Sequence, residues 1–99
     1  MIEVRKTRIF EDWFVSLRDR HARMRIQARI DRLAFGNPGQ HRVLAGGIGE
    51  MKIDCGPGYR IYYSRHGDAW VLLLLCGGDK ASQRADIGAA LALARKLET

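Results

Sequence analysis

The feature that most restricts the fold is the run Trp70 to Cys76, WVLLLLC, which shows no alternation of apolar and polar residues. A strand with one face in water alternates with period two. A strand without alternation is buried on both faces, as expected for a central strand covered by helices. Just before it, Gly56-Pro57-Gly58 predicts a turn and Tyr59 to Ser64 alternates. Tyr59, Ile61 and Tyr63 then share one face, and Arg60, Tyr62 and Ser64 the other. Just after it, Gly77-Gly78 predicts a sharp turn, and either Asp79 or Ser82 can cap a last helix.

The remaining segments fall into place around this stretch. Met1 to Arg5 reads as a short strand with Ile2 and Val4 on one side. Thr7 can cap a first helix, in which Phe10, Trp13, Phe14 and Leu17 form an aromatic stripe with Trp13 as a packing anchor. A second helix is predicted from about Asp19 to Phe35, with Ala22, Ile26, Ile30 and Leu33 facing the core. Arg18, Arg25, Arg29 and Arg32 give it one basic side, which reads equally as a solvated face or as a docking surface for nucleic acid or an acidic partner. Gly36-Asn37-Pro38-Gly39 ends that helix. His41 to Ala45 can begin extended structure. In Ile48 to Cys55, Met51, Ile53 and Cys55 face the core and Glu50, Lys52 and Asp54 face out, on the same open face as Arg60 and Tyr62. Ile87, Ala90, Leu91, Ala94 and Leu97 form the apolar stripe of the last helix.

The predicted architecture is therefore α+β: strand, helical hairpin, three-stranded antiparallel sheet, helix. Ninety-nine residues suffice for one domain, residues 1–99, and are too few for two. No stretch approaches the roughly 20 apolar residues of a membrane helix, and the N-terminus lacks the apolar core of a secretory signal, which predicts a cytoplasmic protein. Cys55 and Cys76 fit that compartment as reduced, buried thiols.

The chemistry is narrowed by what is missing. His21, His41 and His66 are scattered without acidic neighbours, so no metal or cofactor is expected, and GGDK lacks the Ser or Thr of a nucleotide-binding loop. The net charge of +6 favours a polyanionic partner. Lys52, Arg60 and Tyr62 on an open sheet face, with Lys80 at its edge, suit metal-free RNA cleavage by the ribose 2′-hydroxyl. Arg60 would clamp the phosphate, Lys80 would add a point charge at a helix N-terminus, and Lys52 would assist deprotonation or stabilise charge. Tyr62 would stack a base or donate a proton. On these residues alone a solvated charge ladder, or an Arg60–Glu50 pair across the sheet, remains open.

At these positions the sequence resembles the RelE/ParE superfamily of bacterial toxins, and within it the HigB-type addiction-module killer proteins. The resemblance rests on Phe10 to Leu17, Gly36-Asn37-Pro38-Gly39, Gly49-Glu50-Met51-Lys52-Ile53, Gly56 to Tyr63, and Gly77-Gly78-Asp79-Lys80-Ala81-Ser82-Gln83 followed by Asp86-Ile87. It implies a RelE-like fold and the toxin of a type II toxin–antitoxin module that cleaves mRNA on the ribosome without a metal. It places the catalytic positions at Lys52, Arg60 and Lys80; His41, Arg42, Tyr62 and Gln83 are the expected RNA contacts beside them. The implied partners are a cognate antitoxin of helix-turn-helix type, the ribosome with its mRNA, and operator DNA only through the antitoxin complex. The chain departs from RelE in carrying Glu50 before Lys52 where RelE has two basic residues, and Asp86 where RelE has a tyrosine. Asp86 is the candidate substitute for proton transfer. A ParE-like relative on the same scaffold would instead inhibit DNA gyrase without catalysis.

Overall fold

The computed structural model describes residues 2–66 and 71–98, so Trp70 lies outside the described residues. The elements run β1 (Glu3–Lys6), α1 (Arg8–Ser16), α2 (Arg20–Ala34), β2 (His41–Val43), a short 3-10 turn (Ala45–Gly47), β3 (Gly49–Ile53), β4 (Tyr59–His66), β5 (Val71–Gly78) and α3 (Gln83–Glu98). The strands form one sheet in the order β1-β5-β4-β3-β2. The class and the helices agree with the sequence reading, but the sheet has five strands and not three. β1 joins it beside β5, as its parallel neighbour, and His41–Val43 adds an antiparallel edge strand. The β1–β5 pairing joins opposite ends of the chain, and the β2–β3 pairing closes over the Ala45–Gly47 turn; residue periodicity encodes neither.

Local chemistry explains the helix boundaries. The Thr7 hydroxyl accepts from the Phe10 N–H at 3.0 Å and donates to the Leu75 carbonyl at 2.6 Å, so one side chain caps α1 and ties it to β5. Asp19 caps α2 by accepting from the Ala22 N–H. At the other end of α2, Gly36 has φ +90°, its N–H bonds the Leu33 carbonyl, and the Asn37 N–H bonds that of Arg32. That is a Schellman ending, and its left-handed residue is cheap only as glycine. The Gly56-Pro57-Gly58 turn closes with the Gly58 N–H on the Cys55 carbonyl.

The sheet separates two apolar clusters. On one face α1 and α2 bury Phe10, Ile26, Ile30 and Leu33 against Met51, Ile53, Ile61 and Leu74. On the other, α3 buries Ala90 and Ala94 against Ile48, Tyr62, Leu75 and Cys76. β5 contributes to both, as its lack of alternation requires. A bulge helps: Tyr62 pairs with Cys76 but Tyr63 with Leu74, leaving Leu75 as an extra residue. Leu75 and Cys76 thus both reach the α3 side while Leu74 serves the other.

Gly77 and Gly78 do not form the expected turn. They are the last two residues of β5, and neither has positive φ. Their role is close approach on both faces. A methyl on Gly77 would overlap the Trp13 indole, and one on Gly78 would overlap the Asp86 carboxylate. Trp13 is thereby the packing anchor of α1, edge-on to Tyr59 at 6.2 Å. Gly77→Ala is expected to lower stability by about 1–3 kcal/mol through overpacking. A urea-denaturation midpoint equal to that of the wild type would show that Trp13 does not need the bare backbone.

Candidate active site

Strand register builds the site. Arg42, Glu50, Tyr62 and Cys76 stand in one row across β2, β3, β4 and β5, and Lys52, Arg60 and Gly78 stand in the next row on the same face. α3 lies mainly over β5 and β4 on that face and reaches β3 through the Gln83 side chain. The part left uncovered is a shallow groove of about 340 Å³ lined by Gln40, His41, Arg42, Glu50, Lys52, Arg60 and Gln83.

Arg60 is the unusual group in it. Its residue is 6% exposed, Nη1 donates to the Gly58 carbonyl at 2.7 Å, and Nε is buried without a partner. Among the described residues no carboxylate pairs with it. Burying an unpaired cation is costly, so a guanidinium held this way at a groove is a ready receptor for an anion. Lys80 does not line the groove, but it is close by. A Cβ on Gly58 would lie 3.2 Å from Arg60 Nη1 and 3.5 Å from Lys80 Cβ, so both residues pack over the same glycine.

Glu50 is the residue whose role the sequence left open. It is buried at 4% exposure, and its carboxylate accepts from Arg42 Nε at 2.6 Å and from Gln83 Nε2 at 3.1 Å. The cross-sheet pair is therefore Glu50–Arg42, and not Glu50–Arg60. Burial would raise the Glu50 pKa, but the hydrogen bonds from Arg42 and Gln83, the nearby Tyr62 phenol and the Arg42 charge outweigh it and hold it below its ordinary value. The carboxylate draws together the β2 edge and the first turn of α3, and it consumes part of the positive charge of Arg42.

Three other expected positions differ from the open face inferred above. Tyr62 is fully buried under α3, so no face of its ring is available to a base; burial and the Glu50 carboxylate push its phenol well above the usual range. Asp86 does not line the groove. Its carboxylate lies over Gly78 and accepts from the Ser82 hydroxyl at 2.5 Å, and it adds to the burial that pushes the Cys76 thiol up to about 12. The anion nest expected beside Lys80 is filled from within: the Ser82 N–H donates to Asp79 Oδ1, the Asp79 N–H donates to Ser82 Oγ, and the Lys80 N–H reaches the Pro57 carbonyl. His41 sits at the groove's rim, in register with Met51, with Nδ1 2.8 Å from the Gly39 carbonyl. Because a carbonyl only accepts, Nδ1 carries the hydrogen, and a neutral His41 leaves Nε2 free to accept one. Among the described residues no cluster of His, Cys, Asp or Glu could hold a metal ion.

The sequence is 43% identical over 96 residues to an uncharacterized protein of Haemophilus influenzae, a match covering 97% of this chain and 96% of that one. The two chains belong to one family. No family model matches the sequence. In three dimensions the chain is similar to a double arginine-to-alanine mutant of the Escherichia coli toxin RelE in the free state, with a TM-score of 0.73, 12% identity, and coverage of 92% of this chain and 94% of that one. This chain has the RelE/ParE-like fold. No described helix of this RelE-like fold is long and apolar enough to cross a membrane.

The low Glu50 pKa has a measurable consequence. A carboxyl depressed in the folded state contributes stability above its unfolded value, near 4.5, and that contribution is lost as pH falls through the folded value. Glu50→Gln should therefore be less stable than wild type at pH ~7, with the gap closing below pH ~4. Urea titrations at the two pH values decide it, and an equal gap at both would remove ionised Glu50 as the source.

Proposed function

We propose that this chain is the toxin of a type II toxin–antitoxin module and acts as an mRNA endonuclease on the ribosome. The observation that carries the proposal is Arg60: a buried guanidinium with no carboxylate partner among the described residues, opening on a groove that also presents Lys52, Arg42 and Gln83. The RelE-like fold supports the toxin class, and the Gly-Pro-Gly-Tyr-Arg and Gly-Gly-Asp-Lys segments support a HigB-type member. Residues 1–99 would act as one toxin domain in the cytoplasm. The excess of basic over acidic residues suits a ribosomal RNA environment.

The chemistry follows from the groove. The ribose 2′-oxygen attacks the adjacent phosphorus, the bond to the 5′-oxygen breaks, and a 2′,3′-cyclic phosphate and a 5′-hydroxyl result. Arg60 would hold the non-bridging oxygens as negative charge builds on the phosphorane, with Lys52 beside it and Lys80 reaching in over Gly58. Glu50 would keep Arg42 and Gln83 in place as contacts to the flanking nucleotides. The 2′-hydroxyl must lose a proton and the 5′-oxygen must gain one; His41 Nε2 at the rim and the Lys52 ammonium are the groups on hand for those transfers. Much of the rate would come from orientation and charge stabilisation, with the ribosome holding the mRNA. A cognate antitoxin would cover the groove and keep the toxin silent.

The test is to map mRNA 5′ ends after brief induction of the isolated chain, with and without a translation block. New ends within reading frames should require translation, and Arg60→Ala should reduce them by about 100-fold or more, the usual cost of removing one donor from a charge-stabilising site. Growth arrest without new ends would overturn the nuclease reading and favour a gyrase inhibitor of the ParE kind, which a supercoiling assay would then detect.

A further inference from the structure

A second concentration of positive charge lies away from the groove, on α2. Arg25, Arg29 and Arg32 follow one another at i, i+4 and i+7, beside the buried stripe of Ala22, Ile26, Ile30 and Leu33. With Ala28 and Ile53 they enclose a hollow of about 200 Å³. Ala28 supplies the concavity, because its methyl sits between three guanidinium-bearing neighbours.

The three arginines are not equivalent. Arg29 is fixed: Nη1 donates to the Lys52 carbonyl at 2.8 Å, and Nη2 donates to Pro38 and Gln40 carbonyls at 2.9 and 3.1 Å. It locks the loop after α2 to β3, and burial together with Arg32 and Arg25 lowers its pKa. Arg25 and Arg32 are exposed, and among the described residues neither has a carboxylate partner. The nearby Asp31 carboxylate accepts instead from the Gln27 amide. One turn beyond Arg32, Phe35 is 77% exposed.

This combination fits a nucleic acid better than an acidic polypeptide. Arg25 and Arg32 are roughly 10 Å apart along the helix axis, a spacing from which two planar forks can reach separate phosphates of one RNA strand. An exposed ring at the end of the track offers a stacking platform for an unpaired base. We infer that the α2 hollow is a second RNA contact, in which Arg25 and Arg32 hold the sugar–phosphate backbone of a structured RNA and Phe35 stacks on a base at its end. Its purpose rests on the nuclease reading, since Arg29 ties the hollow to the backbone of Lys52 and so sets the docked RNA in fixed relation to the groove. The contact itself does not depend on cleavage.

The experiment uses fluorescence anisotropy with a fluorescein-labelled, 2′-O-methylated RNA stem-loop, which has no free 2′-hydroxyl to attack its phosphates. The full chain is titrated as wild type, Arg25→Glu/Arg32→Glu and Arg25→Lys/Arg32→Lys over a range of salt. The glutamate pair should bind about 10-fold or more weakly, with the slope of log K against log salt reduced by about 1.5, the share of two phosphate contacts. The lysine pair should restore the slope. Both side chains are exposed, so the melting temperature should stay at the wild-type value; if the glutamate pair melts lower, Phe35→Ala replaces it and should weaken stem-loop binding severalfold. Unchanged stem-loop affinity in the glutamate pair, or loss of affinity for a polyglutamate peptide with RNA binding intact, would overturn the inference. Stem-loop binding that survives in a chain producing no mRNA cleavage would reject only the nuclease reading.

Discussion

Burial of β5 on both faces is the constraint from which the other elements take their places. The strand is flanked by β1 and β4 and covered by α1 on one side and α3 on the other, and its residues Leu74, Leu75 and Cys76 are all buried. Its last two residues meet the two layers most closely, with Trp13 resting on Gly77 and Asp86 on Gly78. A side chain at Gly77 would have to displace the Trp13 ring, and one at Gly78 would have to turn the Asp86 carboxylate aside. The Thr7 hydroxyl, bonded to the Leu75 carbonyl, fixes the start of α1 to the same strand.

The groove is the remainder of that arrangement. α3 is seated by Ile87, Ala90, Leu91 and Ala94 over Tyr62, Leu75 and Cys76, so it shields the β4–β5 half of the face and leaves the β2–β3 half open. Charges then sort by burial. Glu50, almost fully buried, is held ionised by Arg42 and Gln83, whereas Arg60 is left with a backbone carbonyl and no counter-ion among the described residues. The unpaired buried cation is costly to the isolated fold, and an anion in the groove relieves that cost.

Helix caps and apolar stripes were legible because they are local. Thr7, Asp19, Gly36 and the Ala22, Ile26, Ile30, Leu33 stripe each act within a turn or two of chain. The facing of Met51, Ile53 and Ile61 was legible too, since period two determines it. Tyr62 was not. Alternation puts it on the Arg60 face but cannot say that α3 closes over it two residues away. Nor could Arg29 be told from Arg25 and Arg32, because its three carbonyl partners lie in loop and strand residues distant in sequence.

The sequence by itself determined the class, the order of elements, the helix ends, and the residues Lys52 and Arg60 as neighbours on one face, because these depend on periodicity and short-range caps. Only the tertiary structure decided that β1 and β2 complete the sheet, that Glu50 takes Arg42 and leaves Arg60 with no carboxylate among the described residues, that Tyr62 is buried beneath α3, and that Asp86 turns toward Ser82 and Gly78. Those outcomes depend on where a helix docks across a sheet and on which charge it leaves in a low-dielectric setting. Both are properties of contacts between segments far apart in the chain, which no local pattern of residues carries.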